Sequence, residues 1–115
     1  MQVTVVSADK RGFEITKSRI EMDMGLDLHH VDSQDRVEWI RNRFDLNECV
    51  YMGDGIYDPL VFREVRYSLA PANASRRTQS EANYVTHSRG SEGAVAEACL
   101  HLLDRFFGGF DLAAH

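Results

Sequence analysis

Apolar residues in this chain arrive in short runs of two to five, and polar segments rich in glycine, serine and acids separate them. Gln2-Val3-Thr4-Val5-Val6 is β-branched and ends abruptly at Ser7-Ala8-Asp9-Lys10, as a buried strand does when it meets a polar loop. Phe13, Ile20 and Met24 fall on helical spacing before Gly25, which predicts a first helix over roughly 13–24. Leu26 to Val31 reads as a second strand, and Ser33 can cap a helix whose inward face is Val37, Ile40 and Phe44.

Cys49-Val50-Tyr51-Met52 predicts a third strand that runs straight into Gly53-Asp54-Gly55. Asp58-Pro59 reads as an N-cap and first helical residue, launching a short helix through Val61 and Phe62. Val65 to Leu69 predicts a fourth strand, Asn73 or Ser75 the start of a short helix, and Ala82 to Thr86 a fifth strand. A glycine-containing loop, Ser88 to Gly93, leads into a last helix with one apolar stripe: Val95, Cys99, Leu102, Leu103 and Phe106. Strands alternating with short helices predict an α/β fold, a small Rossmann-like three-layer sandwich with a mostly parallel sheet and helices on both faces. Residues 1–107 are expected to form that domain and 108–115 a flexible tail.

Length and charge narrow the functions open to such a domain. The chain has 115 residues, enough for one core, and its net charge of −5 gives no general positive field to hold nucleic acid or an anionic membrane surface. Neither is expected as a partner. No apolar run approaches the roughly 20 residues that span a bilayer, and no signal-peptide pattern opens the chain, so the expected location is the cytoplasm. Cys49 and Cys99 stand alone and read as reduced thiols.

The chemistry gathers at strand ends. Asp54 and Asp58 lie four residues apart across a strand-to-helix turn, where hard oxygens suit magnesium; the same two residues also read as a strand terminator and a helix cap. Ser7 stands at the end of another strand, where a hydroxyl can meet a phosphate oxygen. His29, His30, Asp32 and Asp35 form a polar cluster, but adjacent histidines on a strand point to opposite sides, and we read them as strand-end residues. Tyr51 and Tyr57 flank the acids without a spacing that assigns them chemistry.

In order and spacing, strand-Ser7, a basic residue opening a helix at Arg36, and strand-Gly53-Asp54-Gly55-Ile56-Tyr57-Asp58 resemble the second, third and fourth motifs of the haloacid dehalogenase superfamily of phosphohydrolases. Tyr84-Val85-Thr86, Arg89-Gly90 and Gly93-Ala94-Val95 further resemble its small, capless branch that hydrolyses 3-deoxy-D-manno-octulosonate 8-phosphate. The resemblance runs from Val3 to about Leu103. It implies that Asp54 binds magnesium directly, that Asp58 does so directly or through water, and that Ser7 binds the transferring phosphoryl group. It also implies a catalytic cation where Arg36 stands and the family has lysine, with Lys10 as the other candidate. Arg89, in the glycine loop, suits a planar substrate anion and equally reads as holding that loop onto the last helix. The substrate would be a small phosphorylated metabolite, and capless relatives imply a homo-oligomer.

One family feature is missing from these residues. The superfamily attacks phosphate with the first aspartate of a DxDxT or DxDxV segment on a strand before the Ser7 strand, and no Asp-x-Asp occurs in the sequence; Glu21-Met22-Asp23 and Asp23 to Asp27 are the nearest approximations. The expectation is a phosphatase-lineage domain inactive by itself. The alternatives are a non-catalytic oligomerisation or ligand-binding module, of the kind attached to vertebrate sialic acid cytidylyltransferases, and, less well matched, a receiver-like phosphoacceptor domain.

Overall fold

The computed structural model describes residues 4–7, 27–90 and 93–106, which fall into two compact units, 1–43 and 44–115. The helix expected at 13–24, Lys10 and the tail at 108–115 lie outside the described residues.

In the first unit, β1 (Thr4–Ser7) pairs in parallel with β2 (Asp27–His30), with Val5 opposite Leu28 and Ser7 opposite His30. A 3-10 turn, Ser33–Asp35, follows β2 and runs into α1 (Arg36–Arg43). The residue at the cap of that turn is Asp32, not Ser33, and its side chain makes no capping hydrogen bond. Leu28, Val31 and Ile40 are buried, which accounts for the apolar periodicity around them. His29 packs its ring on Trp39, 5.1 Å between centroids, and the Arg43 guanidinium lies 4.6 Å from the Trp39 ring.

The second unit is built on a parallel sheet in the order β3-β4-β5: Val50–Met52, Tyr67–Ala70 and Tyr84–Val85. Helices cover both faces. The central strand, β4, is buried at all four positions and alternates cleanly. Tyr67 and Leu69 face α4 (Ala94–Phe106), where they meet Ala98, Leu102 and Phe106. On the other face Ala70 packs with Phe62 of α2 (Asp58–Phe62) and with Ala74, which precedes α3 (Arg76–Glu81). Ser68 is buried there too, but Asn83 satisfies it: Asn83 Oδ1 accepts from the Ser68 amide at 2.9 Å and from its hydroxyl at 3.1 Å.

The last helix keeps Leu102 and Phe106 of its expected stripe against the sheet, but its N-terminal half is turned. Ala94 and Ala98 are its buried residues, whereas Val95 is 63% exposed and Cys99 is exposed. Alanine lets the helix approach the sheet closely, and the ring of His101 fills the space beside it, 3.7 Å from Tyr84 and 5.7 Å from Tyr67 between centroids. No helix of the described residues is long and apolar enough to cross a membrane.

Candidate functional site

The acidic loop leaves the C-terminal end of β3, where sites in parallel α/β sheets lie. Gly53 continues the ladder for one more bond, its amide donating to the Leu69 carbonyl at 3.1 Å. Asp54 then stands exposed, and the chain turns through Gly55 into α2.

Asp58 is the fixed point of this turn. It is buried, and its two carboxylate oxygens have different donors: the Tyr51 hydroxyl donates to Oδ1 at 2.6 Å and the Gly55 amide to Oδ2 at 2.7 Å. The oxygen–oxygen distance to Tyr51 and the nitrogen–oxygen distance to Gly55 are both short, as in charge-assisted bonds. The carboxylate also presses on Gly53, where a Cβ would sit 2.3 Å from Oδ2, so the first glycine is dictated by close approach. The Gly55 carbonyl in turn accepts from the Asp58 amide and from Thr78 Oγ1, both at 3.2 Å.

The sequence places Asp58 at the N-cap, and the structure moves it one residue inward. Tyr57 is the cap, Asp58 the first helical residue and Pro59 the second. The carboxylate is turned back to the loop and to β3, so it serves the turn rather than the helix amides. Proline is tolerated because the amides of the first turn have no intrahelical acceptor.

Other candidates occupy their own settings. Ser7 is the last residue of β1, at the C-terminal end of that strand. Arg36 opens α1, as expected, but is buried, and its Nη2 donates to the Val31 carbonyl at 3.0 Å. Arg89 is exposed in the loop after β5, and its carbonyl accepts from the Ala94 amide, which ties this loop to the start of α4. Gly90 adds a second tie, its amide donating to Asn73 Oδ1 at 2.7 Å.

Glu97 and Thr78 are not legible in the sequence as parts of this end of the sheet, and the spacing of Tyr51 beside the acids assigns it no chemistry. Glu97 accepts from the His87 amide at 2.7 Å, the Ser88 amide at 2.9 Å and the Tyr84 hydroxyl at 3.1 Å. The His87 amide bond chiefly, with those of Ser88 and Tyr84, holds the Glu97 carboxyl below its ordinary value against a smaller opposing effect of burial. Burial first, then the bond to Glu97, pushes the Tyr84 phenol up. Strand alternation puts Tyr51 on the α2 face, but a partner seven residues on belongs to tertiary structure.

Among the described residues no group of three or more His, Cys, Asp or Glu side chains stands ready to hold a metal. Magnesium needs few protein carboxylates, since waters and phosphate oxygens complete its shell. The exposed Asp54 fits that requirement as a single hard ligand, and Asp58 fits as the group that positions it.

The sequence pattern of the haloacid dehalogenase-like hydrolases matches residues 40–99. The 3-deoxy-D-manno-octulosonate 8-phosphate phosphatase of Salmonella typhi is 43% identical over 53 residues, 46% of this chain and 28% of that protein. The phosphatase of the same name from Yersinia pestis superposes with a TM-score of 0.72 at 25% identity, covering 96% of this chain and 63% of its own. Its counterpart from Moraxella catarrhalis, solved with magnesium, phosphate and 3-deoxy-D-manno-octulosonate, gives 0.72 at 21% identity, with 90% and 61% covered. At 21% identity that likeness shows the fold alone. The chain therefore spans little more than a quarter of the curated relative in the matched region and about three fifths of these solved ones.

Proposed function

Because the chain belongs to the haloacid dehalogenase-like hydrolases, we propose that it is the cation- and phosphate-holding part of a magnesium-dependent phosphatase for a small phosphorylated sugar acid. The observation that carries this reading is the exposed Asp54 at the end of a parallel strand, on a loop held from below by the buried Asp58. Magnesium, when bound, supplies fixed positive charge that offsets the charge on phosphate. Asp54 supplies the carboxylate for it, and Asp58 keeps the Gly53-Asp54-Gly55 backbone in place.

Ser7, at the end of β1, donates to the phosphoryl group, and Arg36 is the cation of the third motif, with Lys10 the substitute. Arg36 is buried against the Val31 carbonyl, so its charge serves the corner between β2 and α1 as well. Arg89 contacts an anionic group of the substrate from the exposed loop after β5. The protein works in the cytoplasm as a homo-oligomer, without nucleic acid or membrane partners.

The sequence contains no Asp-x-Asp, so these 115 residues hold substrate and cation without a carboxylate nucleophile and do not turn over alone. That same observation favours a second reading, a non-catalytic ligand-binding or oligomerisation module. An assay with an aryl phosphate and magnesium, run beside calorimetry of magnesium with inorganic phosphate, separates the two. Cation-dependent phosphate binding without turnover supports the first reading; no binding of either supports the second. Magnesium-dependent turnover that vanishes in Asp54→Ala contradicts the inactivity.

A further inference from the structure

The clasp around Asp58 is asymmetric in what its two donors belong to. Gly55 is part of the loop itself, so its bond to Oδ2 ties Asp58 to the loop it supports. Tyr51 is part of β3, paired with Ser68 of the buried central strand, and its ring meets Phe62 edge-on at 6.0 Å. The 2.6 Å bond from its hydroxyl to Oδ1 therefore references the carboxylate to the sheet. Through that carboxylate it references Gly53, where it leaves no room for a Cβ, and Gly55, whose amide donates to it. Asp54 is the residue between them.

We propose that Tyr51 is a positioning residue for the Asp54 loop, acting through Asp58, and that its hydroxyl sets how tightly Asp54 holds a divalent cation. This rests on the assignment of Asp54 as the cation ligand. Each carboxylate oxygen of Asp58 receives one protein donor, one from the sheet and one from the loop, and keeps a further lone pair, so Asp58 braces the Asp54 loop whether it meets the cation directly or through water. With the hydroxyl gone, the carboxylate keeps its bond to the loop but loses this bond to the sheet, and the loop is held less firmly. The cation then meets an Asp54 that must be ordered before it can bind.

Tyr51→Phe removes the hydroxyl and retains the ring that packs on Phe62. Loss of a partner that orients a metal ligand typically weakens metal affinity roughly ten- to hundredfold, and magnesium calorimetry should show a loss in that range. Amide exchange at Gly55 should speed up, since its acceptor has lost the Tyr51 bond. Phe62→Leu, which loosens the same cluster but leaves every donor in place, separates positioning from stability. It should lower the melting temperature while leaving the magnesium affinity unchanged. Equal magnesium affinity in Tyr51→Phe and wild type, or an equal loss in Phe62→Leu, overturns the proposal. A wild-type chain that binds no magnesium overturns the Asp54 assignment, and faster Gly55 exchange in Tyr51→Phe still upholds the brace in that case.

Discussion

The imidazole of His101 lies flat on the phenol of Tyr84, ring centroids 3.7 Å apart and planes within 12°, while its Nε2 is 2.7 Å from the Tyr67 hydroxyl. One polar residue on α4 thus touches both β4 and β5, and it explains why the helix sits with its alanines inward. His101→Ala removes the stack and leaves the Tyr67 hydroxyl without this partner. The expected cost is about 1–2 kcal/mol of unfolding free energy, read by chemical denaturation with an unchanged slope.

The loop after β5 should depend on pH through Glu97. Its carboxyl lies below the ordinary value of 4.5 in the folded chain, held down first by the His87 amide. The unfolded chain therefore takes up a proton more readily as the pH falls. The stability that Glu97 contributes is complete above its unfolded value and is lost as the pH drops through the folded one. Glu81 adds a change of the same sign, because the Arg63 side chain, bonded to it at 2.8 Å by two nitrogens, also holds it down. Melting temperatures should fall below about pH 5, and the fall should be shallower in Glu97→Gln.

Gly53 offers a steric test of the acidic turn. A methyl group there meets the Asp58 carboxylate at 2.3 Å, with further atoms at 2.4 and 2.8 Å. Gly53→Ala must displace a carboxylate held by two donors, and overpacking of this kind costs about 1–3 kcal/mol. Gly55→Ala, at 3.3 Å from Oδ2, should cost less when both are measured by denaturation.

These contrasts show what was readable before the structure. The strand Val50–Met52 and the glycine-flanked acid after it were legible because an apolar run stops at a residue type that terminates strands. Asn73 or Ser75 reads as the start of the short helix, and the structure selects Ser75, whose hydroxyl accepts from the Thr78 amide. The rotation of α4 was not, because Val95 and Cys99 outweigh Ala94 and Ala98 on any hydrophobicity count, whereas packing selects the small residues that let Tyr67 and Leu69 approach. Asp58 reads as the cap from the sequence for a related reason. Sequence shows an acid before proline, but the competing donors, Tyr51 and Gly55, become visible only when the strand and the turn are folded together.

Association is the least local property of the chain and has a direct test. The outer side of α4 carries Val95 at 63% and Leu100 at 48% exposure, and a homo-oligomer would have apolar surface of this kind to cover. Light scattering should report a mass that is a multiple of 13.1 kDa at all but the lowest concentrations. A 13.1 kDa particle throughout a wide concentration range contradicts the oligomer.

The central claim, that Asp54 presents the carboxylate for a divalent cation, is tested most directly by titrating the chain with manganese and following its amide resonances. Paramagnetic broadening is expected first at Gly53, Asp54 and Gly55, and it should disappear at the same manganese concentration in Asp54→Asn. Broadening that begins at another acidic cluster, such as Asp32 and Asp35, or that persists unchanged in Asp54→Asn, contradicts it.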